Sequence, residues 1–368
     1  MLLAGGCDGR APGPAPSGTQ TASVTPTGPC DSDTVLASWP LARLAAQTVV
    51  VPINSSQLAT VGPQVAAGVG GVILFGAQAP DDLKDAVAAL VAQAPDGIEP
   101  FIMTDEEGGD VQRLPNLVGR LPSARDMAAT MTPEQIYDLA LQAGTVMLAN
   151  GVTMDLAPVL DLDDRPGPNN SNPDGTRSFS RDRTVATLAG LAFAHGLVDA
   201  GVIPVVKHFP GLGGTNANTD VAPAATLPWD ELQRDGLLPF TAAIEAGLPA
   251  IMVSNASVPG LTALPASISP EVITGVLRQQ LHFDGLVMTD ALSGGAIEGA
   301  GHTVPSASVA ALAAGADIIL FTAIDAAGTT RQTIDAIVAA VEGGQVPRDR
   351  LEDAVRHIFE VKRVDLCA

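Results

Sequence analysis

The sequence predicts an α/β protein built as a single (β/α)8 TIM barrel. Three observations carry that expectation. Short runs of β-branched and apolar residues recur along the chain, each enters a loop rich in Gly, Asp or Pro, and each loop leads into an Ala-rich stretch of helical length. Continuous apolar strands that alternate with helices call for a parallel sheet covered on both faces, because a strand with one wet face would alternate polar and apolar residues. Eight such units in about 330 residues suit a closed barrel better than an open sheet. A doubly wound open sheet is the alternative, but no Gly-x-Gly-x-x-Gly turn follows the first run.

In order, the runs are Gln47–Ile53, Gly71–Phe75, Pro100–Thr104, Val152–Ala157, Val202–Lys207, Pro249–Ser254, Gly285–Thr289 and Ala316–Phe321. No internal duplication accompanies them, so what repeats is the pattern. Residues 30–368 are expected to form one barrel domain, with residues 1–29 as a separate N-terminal piece. Within that piece, Met1-Leu2-Leu3-Ala4-Gly5-Gly6-Cys7 resembles the end of a bacterial lipoprotein signal, in which small residues precede a lipidated Cys. The basic and long apolar parts of such a signal are missing here and are taken to have been cut off; a chance Cys is the alternative. Asp8 to Pro29 is rich in Gly, Pro, Ser and Thr, the composition of an unfolded tether. Cys30 stands where the tether ends and Cys367 is one residue from the C-terminus, so a disulfide would join the two ends of the domain. Such a bond suits an exported protein, and two separate free thiols are the alternative. The expected location is the cell envelope, with membrane contact only through a lipid on Cys7.

With 46% hydrophobic and 16% charged residues, the chain has enough apolar surface for a large core. No run of eighteen or more apolar residues offers a membrane span. The net charge of −21 repels phosphate backbones and anionic headgroups, so nucleic acid is not an expected partner. Positive charge comes mostly from Arg. The lysines are Lys84, Lys207 and Lys362, which makes a Lys inside an apolar run conspicuous.

A barrel does its chemistry at the C-terminal ends of its strands. The third run ends in Met103-Thr104-Asp105-Glu106-Glu107-Gly108-Gly109, the fourth in Asp155-Leu156-Ala157-Pro158, the fifth in Lys207-His208-Phe209-Pro210-Gly211, and the seventh in Met288-Thr289-Asp290. Four strand ends that bring charges to one rim suit an enzyme handling a polar small molecule. Plainer readings exist for two of them. Asp105, Glu106 and Glu107 would serve as the acidic first turn of a helix, and Asp290 as a helix N-cap. Lys207 resists such a reading, because it directly follows Ile203-Pro204-Val205-Val206 and takes a charge into an apolar layer unless a ligand or carboxylate meets it.

Together with Asp155-Leu156-Ala157-Pro158-Val159-Leu160-Asp161 and Thr176-Arg177-Ser178-Phe179, these motifs resemble, in order and spacing, the bacterial β-N-acetylglucosaminidases of glycoside hydrolase family 3. The resemblance spans roughly Cys30 to Val361. It implies a retaining exo-glycosidase that acts on terminal N-acetylglucosamine-type residues of cell-wall glycans, with a glycan or muropeptide-type substrate. Asp290 matches the nucleophile that forms a covalent glycosyl-enzyme. Asp105, Arg113, Arg177, Lys207 and His208 match residues that hydrogen-bond the sugar hydroxyls, which fits carboxylates as acceptors and basic groups as donors. No metal or organic cofactor is implied, and a monomer is expected.

The sequence departs from the family at one loop. The family usually reads Lys-His-Phe-Pro-Gly-His-Gly, then four residues and Asp-Ser-His, whose last His is the acid/base. Here Leu212 replaces the first of those His residues, Asn218 the Asp, and Asp220 the acid/base His, with the spacing kept. His195, His282, His302 and His357 offer no obvious substitute. Asp110 is a second departure, standing where a basic residue is common. Three readings follow: Asp220 is the acid/base of an active glycosidase, with altered sugar preference as a further option; the domain binds sugar without turnover; or the barrel is a structural envelope scaffold. Asp174 and the Asp161–Asp164 loop are the reserve proton donors.

Overall fold

The computed structural model describes Met1, Leu2, Gly5 and residues 31–367. Cys7, Cys30 and the segment 8–29 lie outside the described residues. Seven strands, β1 (Val50–Asn54), β2 (Gly71–Phe75), β3 (Phe101–Thr104), β6 (Met154–Asp155), β7 (Ile203–Phe209), β8 (Ala250–Val253) and β9 (Leu286–Thr289), form one curled parallel sheet in that order. A short antiparallel hairpin, β4 (Glu106–Gly108) and β5 (Val111–Gln112), follows β3.

The absence of polar alternation has the expected consequence. β3, β8 and β9 are buried along their whole length, and Val72, Val205, Val206, Ile251, Val287 and Met288 are sealed from solvent. Every strand of the parallel sheet is followed by helical residues before the next one in that sheet, as parallel connection demands. Local chemistry bounds the longest helices. Asp182 caps Arg183–Ala200 by accepting from the Thr184 and Val185 N–H groups, and Gly201 ends it at φ 86°. Thr132 and Gln135 form a capping box at the start of Pro133–Ala149. These two helices pack closely because Gly196 has no side chain; a Cβ there would lie 2.4 Å from the Tyr137 carbonyl oxygen.

The eighth run behaves differently from the other seven. Ala316–Phe321 forms no strand of its own, yet Ile318 makes a parallel bridge to Met288 and Ile319 one to Val49. It therefore lies between β9 and the start of β1. Side chains take part of what a full ladder would use: the Val287 N–H donates to Asp317 Oδ2 at 2.8 Å, and the Leu320 N–H to Thr289 Oγ1 at 3.1 Å. The fourth run, expected over Val152–Ala157, shortens to two residues in β6, although the Thr153 and Leu156 N–H groups on either side still donate to the Ile102 and Thr104 carbonyls at 2.8 Å.

Asp317 also anchors the C-terminal helix Arg348–Lys362. Fully buried, it accepts from Arg278 Nη2 and Arg350 Nη2, both at 2.6 Å, and lies 2.9 Å from His357 Nδ1. His357 is thus part of a structural network. The same helix ties down the N-terminal end of the described chain, since Arg356 pairs with Asp33 at 2.9 Å and Arg348 donates to the carbonyls of Ala37 and Trp39. No helix among the described residues is long and apolar enough to cross a membrane.

Candidate active site

A cavity of about 360 Å³ opens at the C-terminal ends of the parallel strands. Asp105, Arg113, Arg177, Lys207, His208, Asp220 and Asp290 all line it, so the catalytic and sugar-binding residues expected from the sequence converge. A larger cavity, about 1200 Å³, lies at the opposite end among the residues that precede β3, β7, β8 and β9. It holds Lys362, whose Nζ is 3.2 Å from Gln47 Oε1 and 4.9 Å above the Phe101 ring; burial pushes that ammonium down to about 7. Charged groups line it too, among them Arg43, Asp96, Glu99 and Arg363, but none of them stands at the strand ends where Lys207 and Asp290 meet.

The site is built around Lys207. The apolar strand β7 carries its side chain to 3% exposure, and two carboxylates meet it there: Asp105 Oδ1 and Glu107 Oε1, each 2.7 Å from Nζ. Glu107, itself 2% exposed, also takes a two-pronged contact from Arg177, with Nε and Nη2 each at 2.8 Å. Asp105, Lys207, Glu107 and Arg177 thus form a continuous line of alternating charge. Burial opposes ionisation of Lys207, Glu107 and Arg177, but their partners win. Asp105 and Glu107 hold Lys207 above its ordinary value, and Arg177 and Lys207 hold Glu107 far below its own.

The acidic triplet is not a helix start. Glu106 and Glu107 lie in the hairpin, where Glu106 is buried and accepts from Gln112 Nε2 at 2.7 Å and from the Arg113 and Leu114 N–H groups at 2.8 and 2.9 Å. That folding aims Arg113 into the cavity, its Nε buried without a protein partner. Asp155 does not reach the cavity either. It is fully buried and accepts the Glu106 N–H at 2.9 Å, so it supports the hairpin from below.

His208 is fixed by Asp161, whose Oδ2 lies 2.6 Å from His208 Nδ1, while Asp161 Oδ1 accepts the Leu212 N–H at 2.6 Å. Burial, reinforced by Arg177, pushes the imidazole down to about 4, so the ring is neutral at pH 7 and shares a proton with Asp161 across the Nδ1–Oδ2 contact. Burial pushes Asp161 the other way, up to about 7, against the N–H donors of Leu212 and His208.

Asp290 follows β9, and its Oδ1 accepts the Ala291 N–H at 2.7 Å. It is not an N-cap, because the next helix begins at Gly295. Burial raises its pKa; His208 opposes this and Asp220, on the same cavity wall, adds to it. The loop that brings Asp220 there is pinned. Asn218 Oδ1 accepts the Asp220 N–H at 2.9 Å, and the Thr219 and Asp220 carbonyls accept the Ala296 and Gly295 N–H groups at 2.9 and 3.0 Å. Gly295 permits the approach, since a Cβ there would lie 2.3 Å from the Val221 oxygen. Leu212, 2% exposed, packs with Ala224 and Ala256 and gives the loop an apolar anchor. His195, His282, His302 and His357 all lie outside the cavity wall.

Sequence reasoning missed Glu107 as an individual member of the site, because a charge triplet does not say which member points inward. Residues 57–361 match the model of the glycosyl hydrolase family 3 N-terminal domain. The chain belongs to glycosyl hydrolase family 3. This glycoside hydrolase is 34% identical to the beta-hexosaminidase LpqI of Mycobacterium tuberculosis over 369 residues, 94% of this chain and 92% of that protein. Its fold matches a family 3 glycosyl hydrolase from Mycobacterium smegmatis with a TM-score of 0.81 and 35% identity, covering 90% of this chain and 98% of the other. It also matches a family 3 beta-N-acetylglucosaminidase from Paenibacillus sp. with a TM-score of 0.82 and 32% identity, over 89% of this chain and 62% of that one.

The line of charges sets an expectation for stability in this family 3 hydrolase. Glu107→Gln keeps the shape but leaves Lys207 and Arg177 without their shared counter-ion, which should cost about 3–5 kcal/mol of unfolding free energy. Urea denaturation measures it, and a loss under about 1 kcal/mol would show that Asp105 alone suffices for Lys207.

Proposed function

We propose that the protein is a retaining, exo-acting β-N-acetylhexosaminidase in which Asp290 is the nucleophile and Asp220 the general acid/base. One observation carries the reading: both carboxylates face one cavity whose other polar walls are Asp105, Arg113, Arg177, Lys207 and His208. A volume near the small end of ligand pockets, roughly 300–1,000 Å³, suits one terminal sugar. Arg113, Arg177 and Lys207 donate to its substituent oxygens while Asp105 accepts from hydroxyls. Asp290 attacks the anomeric carbon as Asp220 passes its proton to the departing oxygen. Asp220 then takes a proton from the water that releases the sugar. Most retaining glycosidases use a carboxylic acid for this second role, so replacing the usual His by Asp keeps the chemistry available. Cell-wall glycans are the proposed substrate, with a monomer acting in the envelope, held there by a lipid on Cys7. The run 316–321 is proposed to act as the eighth strand of a closed barrel, in a domain running from residue 30 to 368.

A Cys30–Cys367 disulfide belongs to the same proposal. Ser32 Oγ lies 3.9 Å from Cys367 Sγ, which brings the residues just after Cys30 to the C-terminal cysteine. In the chain-entropy model, a loop this long stabilises by roughly 5 kcal/mol. Intact-mass analysis after alkylation under non-reducing conditions should leave Cys30 and Cys367 unmodified; alkylation of both would remove the clamp.

Asp290→Asn preserves shape but removes the attacking charge, so turnover should fall on the order of 10³-fold or more. Wild-type rates from that variant, with contamination excluded, would exclude Asp290 as nucleophile. Asp220→Ala should slow substrates with poor leaving groups far more than activated aryl glycosides, because only the former need protonation as the bond breaks. Azide should then restore part of the turnover on activated substrates. An Asp220→Ala enzyme unchanged on poor leaving groups would require a donor from elsewhere.

A further inference from the structure

Asp174 is a buried acid beside the site whose two carboxylate oxygens both lack a donor among the described residues. It is fully buried on the turn ahead of Arg177. The nearby cations are committed elsewhere. Arg177 spends Nε and Nη2 on Glu107 and Nη1 on the Pro173 carbonyl; Lys207 is held by Asp105 and Glu107; Arg165 holds Asp163 and Asn172. Asp105, Glu107, Asp161, Asp174 and Asp290 together outnumber Arg113, Lys207 and Arg177. A buried carboxylate without a donor is strongly disfavoured unless a proton or a cation neutralises it. What surrounds Asp174 suits a cation: one ligand atom each from Asp161, Asp174 and His208 lies within 4.8 Å of the others, and all three residues are buried.

We propose that Asp161, Asp174 and His208 bind a single divalent metal ion, zinc by donor type, behind the His208 wall of the sugar cavity. Two carboxylate oxygens and one imidazole nitrogen are a zinc donor set, whereas calcium and magnesium favour oxygen alone. The ion takes the place of the proton between Asp161 Oδ2 and His208 Nδ1, now 2.6 Å apart. That pair opens to about 3 Å so that both atoms reach the metal at about 2 Å. The displaced proton leaves to solvent, the neutral imidazole carries its own proton on Nε2, and Asp174 supplies the third bond. Asp161 Oδ1 retains the Leu212 N–H, which orients the ligand from outside the coordination sphere. Because His208 also lines the sugar cavity, the ion sets the orientation of a wall residue. This site is independent of whether Asp220 is the acid/base.

Protein stripped with a chelator, incubated with zinc and passed through gel filtration should retain one zinc per chain by elemental analysis. Anomalous diffraction at the zinc edge should place that ion among the three side chains, and zinc should raise the unfolding temperature. Asp174→Leu removes both the ligand and its buried charge, and Asp174→Asn keeps the shape. Each should weaken zinc binding by more than the roughly 10–100-fold that an outer-shell partner costs. Circular dichroism confirms that both variants fold. Stripped wild type that retains no zinc, or variants that retain it as wild type does, would overturn the proposal; in the second case the ion sits elsewhere, such as at Asp220 and Asp290.

Discussion

Everything at the rim depends on one buried ammonium. Lys207 sits at the end of an apolar strand, where an unpaired charge would be prohibitive, and Asp105 and Glu107 must meet it for β7 to hold its place in the sheet. Glu107 then commits Arg177, and the hairpin that presents Glu107 also places Arg113. Folding energy and the proposed sugar recognition are thus served by the same side chains. The donors that face a sugar are already oriented by carboxylates behind them, so little reorganisation is asked of them on binding.

A second constraint joins the two carboxylates proposed to act on the glycosidic bond. The segment that begins at Asp290 continues through Gly294 and Gly295, and there it receives the carbonyls of Thr219 and Asp220. The loop after β7 is therefore fastened to the loop after β9, the element that carries Asp290. Leu212 and Asn218 suit this fastening, one packing against alanines and the other closing a turn onto Asp220. With those residues, the loop holds Asp220 against the cavity through local backbone contacts.

Reading the sequence located the site more accurately than it described its parts. The motif Lys207-His208-Phe209-Pro210-Gly211 was legible because a charge after four apolar residues has few explanations. Asp155 and the acidic triplet were ambiguous because each is a carboxylate at a strand end, and sequence does not say which points inward. Asp155 turned beneath the hairpin, Glu106 satisfied its backbone, and Glu107 became the hub. Asp174 carried no signal of its unusual state, since a missing donor is a property of neighbours distant in the chain.

By itself the sequence determined the parallel α/β character, the order of the strands, the family and most of the residues at the rim. These follow from local periodicity and from motifs within a few residues of one another, both of which are written along the chain. Tertiary structure alone decided how the eighth run joins the sheet, with side chains of Asp317 and Thr289 taking bonds that a ladder would make. It alone decided which acids share a proton, a cation or a lysine, because those choices depend on distances between residues far apart in sequence and on the exclusion of water around them.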